Sequence, residues 1–310
     1  MENRLTVSSS PHIRSSETTQ KIMRDVTIAL TPAAAFGVYN FGVRALIILV
    51  LSILTALVSE ALCQKIRKQP ITINDFSAVV TGLLLGMNLP STVPYWIPVV
   101  GSFFAIVIVK QLFGGLGHNF INPALAARAV LVASWPVQMT TWASVTPDAT
   151  STATVLSIIK EGLDVPLPSM MDMFLGTVGG CIGETSVLLL LLGGLFLIYR
   201  GVISIKIPGI YIGTVALLTL VITGFDIEMT IINILSGGLI LGAFFMATDY
   251  ASSPISPKGQ IIYAVGIGLL TVIIRFYGGY PEGVSYAILL MNVAAPLIDK
   301  YTKQIGRAHV

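Results

Sequence analysis

Charge is what this chain most lacks. Of its 310 residues only 11% are Asp, Glu, Lys or Arg, while 54% are hydrophobic; a soluble domain carries roughly 25% charged residues. So few charges cannot solvate the surface of a globular domain of this length, and the class they indicate is a membrane-embedded protein. The net charge of +3 is too small and too scattered to point to a nucleic-acid partner. Cysteine is nearly absent: Cys63 and Cys181 each lie in or beside an apolar run, which supports neither a disulfide framework nor an iron-sulfur ligand set and reads as small buried thiols. Histidine is equally scarce, and His118 has no second His or Cys at ligand spacing, so no metal site is expected. There is no G-x-S-x-G, P-loop, dinucleotide fingerprint or H-E-x-x-H, so any chemistry has to come from a bound cofactor.

What is present is hydrocarbon in blocks. Crossing a bilayer takes about 20 mainly apolar residues, fewer where a helix is broken inside protein. Ten candidate spans follow, near residues 24–40, 43–63, 74–90, 94–112 and 121–136, then 180–199, 207–223, 228–247, 258–276 and 282–298. The third and fifth are short and interrupted by Pro and Gly. The expected fold is an all-α polytopic membrane protein of about ten transmembrane helices. Residues 1–22 are polar, Ser-rich and without a signal-peptide core, and read as a disordered cytoplasmic tail. With that tail inside, eleven Lys and Arg, including Lys110, fall on the inner side and three, Arg44, Lys160 and Arg275, on the outer side. This bias predicts both termini in the cytoplasm and residues 137–178 outside.

The chain also repeats itself. "VTGLLLGMNLP" from Val80 leads to "KQLFGGLGHNFINPALAARA", and "LSGGLILGAFFMATDYASSP" from Leu235 leads to "RFYGGYPEGVSYAILLMN". Gly82 and Gly86 match Gly238 and Gly242, and Gly114–Gly115 match Gly278–Gly279. Residues 23–136 and 179–302 are therefore expected to form two related five-helix repeats. Five spans is an odd number, so the two insert with opposite topologies and bring their broken helices together at the membrane midplane.

Polar groups at that depth are costly and each invites a role. Asn119, Asn122 and Arg128 surround the entry to the fifth span, with Asn122–Pro123 as a helix start. Arg128 reads either as an anchor for an anionic or carbonyl-bearing ligand or as a buried cation paired with a carboxylate such as Asp249 or Glu184. Glu184 stands at the start of the sixth span, where a first-turn carboxylate suits the helix dipole. Asp249 lies at the inner end of the eighth, and both acids are also candidates for an ion path. Asp75 reads as an N-cap. One segment breaks the hydrocarbon differently: between Thr140 and Thr154, eight of fifteen residues are Ser or Thr.

Taken together, "DFSAVVTGLLLGMNLP", "KQLFGGLGHNFINPALAARA", "GGCIGETSVLLLLLGGLFLI", "FFMATD" and "YPEGVSYAILLMNVAAPLID" resemble the family of the D subunit of the Rnf complex, the ion-translocating ferredoxin:NAD oxidoreductase. Its relative, the B subunit of the sodium-pumping NADH:quinone reductase, is longer at the amino terminus. The resemblance covers roughly residues 20–302. It implies that an exterior loop carries FMN joined through its phosphate to the last residue of a Ser/Thr-Gly-Ala-Thr motif. Here that motif is Ser151, Thr152, Ala153 and Thr154, so Thr154 is the implied phosphothreonyl attachment residue. Thr152 stands where Gly is usual, stiffening the backbone, and Val155 where Pro often follows. The small Ala153 leaves the acceptor hydroxyl open to a flavin transferase, which can supply the activating base.

The resemblance further implies a noncovalent riboflavin and a non-autonomous subunit of a redox-driven translocase in the bacterial cell membrane. Its partners would be the other Rnf subunits (A, B, C, E and G), which would hold the ferredoxin and NAD sites, and electron flow would be coupled to Na⁺ or H⁺ movement. On residues alone, a flavin-free channel or secondary transporter would suit the inverted repeat as well. The end of the chain, residues 303–310, is a short tail in which "IGRAHV" at 305–310 is what one frame of a common sequencing-library adapter would encode. It is expected not to be genuine, and Arg307 and His309 receive no functional reading.

Overall fold

A computed structural model describes residues 17–143 and 153–302. Among them the chain is helical, with no strand beyond an isolated bridge between Pro90 and Cys181. The first half contributes α1 (Thr19–Phe41), α2 (Val43–Ile66), α3 (Ser77–Met87), α4 (Trp96–Phe103), which runs on as a π-helix over Phe104–Gln111, and α5 (Pro123–Ser134). Three short helices follow, α6 (Pro136–Met139), α7 (Val155–Glu161) and α8 (Met170–Leu175). The second half contributes α9 (Val187–Tyr199), α10 (Lys206–Ile222), α11 (Ile227–Leu235), α12 (Leu239–Leu241, continuing as a π-helix over Gly242–Met246), α13 (Pro257–Tyr277) and α14 (Val284–Thr302).

Side-chain chemistry along α2 shows which solvent this fold requires. Leu46, Val50, Leu54, Val58 and Leu62 recur every fourth residue as one exposed stripe, with Val58 63% exposed. Ser52, Ser59 and Glu60 are buried on the other face. Water would favour the reverse arrangement, whereas lipid favours apolar groups outside and polar groups facing protein. This is a membrane protein. By length and composition α2 and α13 can each cross a bilayer, and α11 with α12, bent by 62°, forms a third crossing if the broken pair is one span.

Each of the ten apolar segments holds helix, but several helices are much shorter than their segments. The third is reduced to the 11 residues of α3 and the sixth to the 13 residues of α9. Start signals explain the boundaries. The Asn122 side chain accepts from the amides of Ala124 and Leu125 ahead of Pro123, and Ser256 caps α13 ahead of Pro257. Asp75 is not the N-cap it was expected to be: Phe76 holds that position, and Asp75, one residue earlier at the end of a 3-10 turn, accepts from the Ser77 amide at 2.8 Å and its hydroxyl at 2.6 Å. α2 packs on α3 and α4, α10 packs on α11 and α13, α1 lies along α9, and α5 meets α14. The α1 approach depends on Gly37, where a β-carbon would come within 2.1 Å of the Ile182 carbonyl oxygen.

The shortening of α3 and α9 is what builds the centre of the molecule. Leu89 and Met87 at the end of α3 accept hydrogen bonds from the amides of Ile182 (3.0 Å) and Gly183 (2.8 Å) ahead of α9. Two broken elements thus satisfy each other's free backbone groups, which hydrocarbon cannot do. Glu184 and Thr185 stand in the turn before Ser186, the N-cap of α9, rather than in its first turn. Glu184 thus lies just ahead of the helix start, 3.8 Å from the Arg128 guanidinium.

Candidate functional site

The five candidate polar residues separate into two groups. Asn119 donates to Asp249 at 3.3 Å, and Asp249 also accepts from the Ser252 hydroxyl at 2.9 Å. The Asn122 amide donates to the Asn292 side chain at 3.1 Å, and its own side chain reaches the Met246 carbonyl at 3.4 Å. These residues border a cavity of about 90 Å³, to which Lys110, Ser77 and Phe244 also contribute. Asp249 is not the partner of Arg128.

Arg128 and Glu184 belong to the second group, with a carboxylate that sequence reading passed over. One terminal nitrogen of Arg128 forms an ion pair and hydrogen bond with Glu282. The other donates to the Ser285 hydroxyl at 2.7 Å and lies 3.8 Å from the Glu184 carboxylate. Arg128 is 6% exposed, and its Nε has no hydrogen-bond partner. A signal for Glu282 did exist: it follows Gly278 by four residues, the offset of His118 from Gly114 in the matching unit. Cys181, Glu184 and Glu282 present ligand atoms within 4.8 Å of one another. Arg128 already lies among them and supplies the positive charge that a metal ion would bring.

Thr154 opens onto the same place. A cavity of about 450 Å³ is lined by Thr154, Arg128, Glu282, Trp142, Tyr280 and Tyr286, among others. The two tyrosine rings are stacked, centroids 5.1 Å apart and planes 27° from parallel. Thr154 is the N-cap of α7, its hydroxyl accepting from the Ser157 amide at 3.3 Å. Lys160, one and a half turns further on, donates to the carbonyls of Ile274 (3.3 Å), Tyr280 (3.0 Å) and Gly278, tying α7 to the end of α13. Arg275 is likewise consumed by backbone, donating to the carbonyls of Glu282 (2.9 Å), Ser236 (3.0 Å) and Asn233. Arg44, the third cation of the outer count, donates to the Thr92 carbonyl at 3.0 Å. Ala153 lines the Thr154 cavity as well, while Ser151 and Thr152 lie outside the described residues.

Chemically, the large cavity offers a hydroxyl that can be esterified, aromatic faces for a planar ring, and a buried guanidinium with an unsatisfied donor. Its size falls within the roughly 300–1,000 Å³ usual for cofactor sites. Sequence reading missed a second buried charged set, Glu60 with Lys110: Lys110, counted there as a loop cation, is 2% exposed and bonded to Glu60 at 2.9 Å.

Comparison with known proteins places these features in one family. The family model for the NQR2, RnfD, RnfE family matches residues 6–306. The chain is 58% identical over 306 residues to the D subunit of the Na⁺-translocating ferredoxin:NAD⁺ oxidoreductase complex of Acetobacterium woodii, covering 98% of this chain and 95% of that protein. It is 50% identical over 318 residues to the D subunit of the proton-translocating ferredoxin:NAD⁺ oxidoreductase complex of Clostridium ljungdahlii, covering 98% and 96%. It is 39% identical over 342 residues to the D subunit of the ion-translocating oxidoreductase complex of Shewanella amazonensis, covering 98% of each. With a model match over nearly the whole chain and such relatives, the protein belongs to the NQR2, RnfD, RnfE family.

Proposed function

We propose that this chain is the membrane-embedded D subunit of an ion-translocating ferredoxin:NAD oxidoreductase complex and that it carries FMN as a phosphoester on Thr154. One observation carries the flavin reading. Thr154 borders a 450 Å³ cavity with stacked Tyr280 and Tyr286, and the buried Arg128 in its wall has a donor nitrogen without an acceptor. The residues fit the group. Thr154 Oγ1 would hold the phosphate, Tyr280, Tyr286 and Trp142 would flank the ring, and the Arg128 guanidinium in the wall would attract its negative charge. When bound, the flavin would supply electron-transfer chemistry that no side chain here possesses. The chain's own contribution is to anchor, orient and electrostatically bias it.

In this reading the two five-helix units, residues 23–136 and 179–302, are inverted repeats, both termini are cytoplasmic, and residues 137–178 face the exterior. The matching pattern of α2 on α3 and α4 and of α10 on α11 and α13 supports the repeat. The ferredoxin and NAD sites lie on soluble partners among the other Rnf subunits (A, B, C, E and G), and a flavin transferase matures the loop. Relatives named for sodium and for proton translocation are both close, so the reading is of cation movement driven by electron transfer. Riboflavin remains a noncovalent cofactor of the reading without assigned residues, because the 90 Å³ cavity is too small for a flavin.

The test is direct. Protein coexpressed with a flavin transferase, denatured and run on a gel, should give a fluorescent flavin band that Thr154→Ala removes. A band that survives Thr154→Ala moves the attachment elsewhere. No band from the wild type returns the chain to the channel or carrier class.

A further inference from the structure

We propose that Glu184 takes up a proton when an electron enters the cavity beside Thr154, and that Arg128 couples the two events. The inference rests on the flavin reading and assigns the residues that link its charge to a proton. Arg128 stands between two unequal partners: it is hydrogen-bonded to Glu282, whereas Glu184 at 3.8 Å is within ion-pair but beyond hydrogen-bond reach. Its unpartnered Nε belongs to a side chain in the wall of the large cavity. Any negative charge arriving there is attracted to the same guanidinium that holds both carboxylates.

A second cavity lies behind the first. It measures about 30 Å³ and is lined by Glu184, Thr185, Ser236, Glu282 and Thr154, so Thr154 and Glu282 border both spaces. That volume suffices for a water molecule. Thr185 is 2% exposed and its hydroxyl has no partner, leaving a buried polar group that calls for one. A water there would lie against Glu184, a route for protons from the Thr154 side.

The charges around Glu184 decide which group responds. Facing it are Arg128 from α5, Arg275 from α13, Glu282 ahead of α14 and the Cys181 thiol ahead of α9. The two guanidiniums and two carboxylates balance. An added electron in the large cavity upsets that balance in a region of low dielectric, where uncompensated charge is expensive. Arginine cannot give or take the compensating proton. Glu282 is held by the Arg128 hydrogen bond and its carbonyl by Arg275, so the more weakly held Glu184 is the group that responds. The balance is simple: one electron enters from the redox chain of the complex, one proton from water on the Thr154 side forms an O–H bond on Glu184, and reoxidation releases both. Glu184 is closely packed, since a β-carbon on Gly238 would meet its carboxylate at 2.5 Å.

The experiment uses the intact purified complex. The flavin signal absent from the Thr154→Ala complex is titrated for midpoint potential across neutral pH. In the wild type the potential should fall as pH rises; Glu184→Gln should flatten that dependence, while Glu184→Asp should retain it. A Glu184→Gln complex with its covalent flavin present and an unchanged pH dependence overturns the proposal, as does a pH-independent wild type. Absence of a covalent flavin from the wild type is a different result and overturns the flavin reading itself. If Glu184→Gln does not assemble, the redox-induced infrared difference spectrum of the wild type decides. A protonated-carboxyl band should appear on reduction and shift in deuterated water, and its absence overturns the proposal.

Discussion

The Glu60–Lys110 set and the Arg128 set are both buried, and they are finished differently. In one, Lys110 bonds to Glu60 at 2.9 Å and to the Ser77 hydroxyl at 2.6 Å, while Glu60 also accepts from Gln111 at 2.8 Å and from Gln64 at 3.4 Å. Two charges, two amides and a hydroxyl converge, with Glu60 only 1% exposed. In the other, Arg128 has two carboxylates at unequal range, an idle Nε and a 450 Å³ space beside it. A satisfied network holds helices in register; a network with a spare donor next to a cavity is prepared for a ligand. The difference gives the two ion pairs distinct expectations, a structural role for the first and the proposed functional one for the second.

Removing half of the closed set should have the largest effect on folding. Glu60→Ala leaves the Lys110 ammonium buried without its counter-charge, which typically costs about 3–5 kcal/mol. Thermal unfolding of the purified protein at fixed detergent should drop accordingly. The paired change Glu60→Met with Lys110→Met should recover most of the loss, because it removes both desolvation penalties together. If the pair is no better than Glu60→Ala alone, the set is not a self-contained unit.

The open set should show the opposite balance. Arg128→Lys keeps one charge but loses the fork that reaches Ser285, Glu282 and Glu184 at once. A loss of about 1–2 kcal/mol in stability is expected, the scale of one or two hydrogen bonds, with covalent flavin fluorescence on a gel retained. The midpoint potential of that flavin should shift clearly. A stability loss as large as that of Glu60→Ala, with no change in potential, would show that both sets are structural.

Much of this division could not be read from sequence. The helical, apolar character of the chain was legible because apolar density is a local property, and the Asn122–Pro123 start because caps act within three residues. Lys110 looked like a loop cation because its position beside "QLFGG" resembles a helix end; its carboxylate is 50 residues away, and nothing local announces that pairing. Glu60, a lone acid in an apolar run, was the available signal. Arg128 and Glu184 were found as misplaced charges, but Glu282 was hidden by a Gly- and Pro-rich turn that reads as surface. The cavity itself is assembled from α5, the segment before α7 and the turn before α14, and such a space has no sequence pattern.

Lys160 tests how firmly the Thr154 segment is held against the open set. Lys160→Met preserves much of the aliphatic stem and removes the donations to Ile274, Gly278 and Tyr280. A cost of about 1–2 kcal/mol is expected for losing charge-assisted hydrogen bonds at a half-exposed site, confined to the α7 region. Limited proteolysis between residues 153 and 170 should accelerate while the remaining helices stay protected.

The smallest expected effect is a pH dependence on the far side of the same segment. In α8 the Asp172 carboxylate accepts from the Ser169 hydroxyl at 2.6 Å and the Thr177 hydroxyl at 3.0 Å, and Ser169 in turn caps the Asp172 amide. The Ser169 bond first, then that from Thr177, holds this acid below its ordinary value. A carboxyl group with a depressed folded value contributes stability that is complete at neutral pH and is lost as pH falls through that folded value, in acid below the ordinary Asp range. Met173, in the next position, is buried against Val155 and Ile232 and lines the small cavity with Glu184. Loosening α8 by acid should therefore reach the floor of the open set and leave the Glu60–Lys110 set untouched. Asp172→Asn should imitate the acid form at pH 7, giving faster amide exchange in residues 170–175 and none of the change near Lys110. Equal exchange in both places would mean that the two charged sets are not mechanically separate.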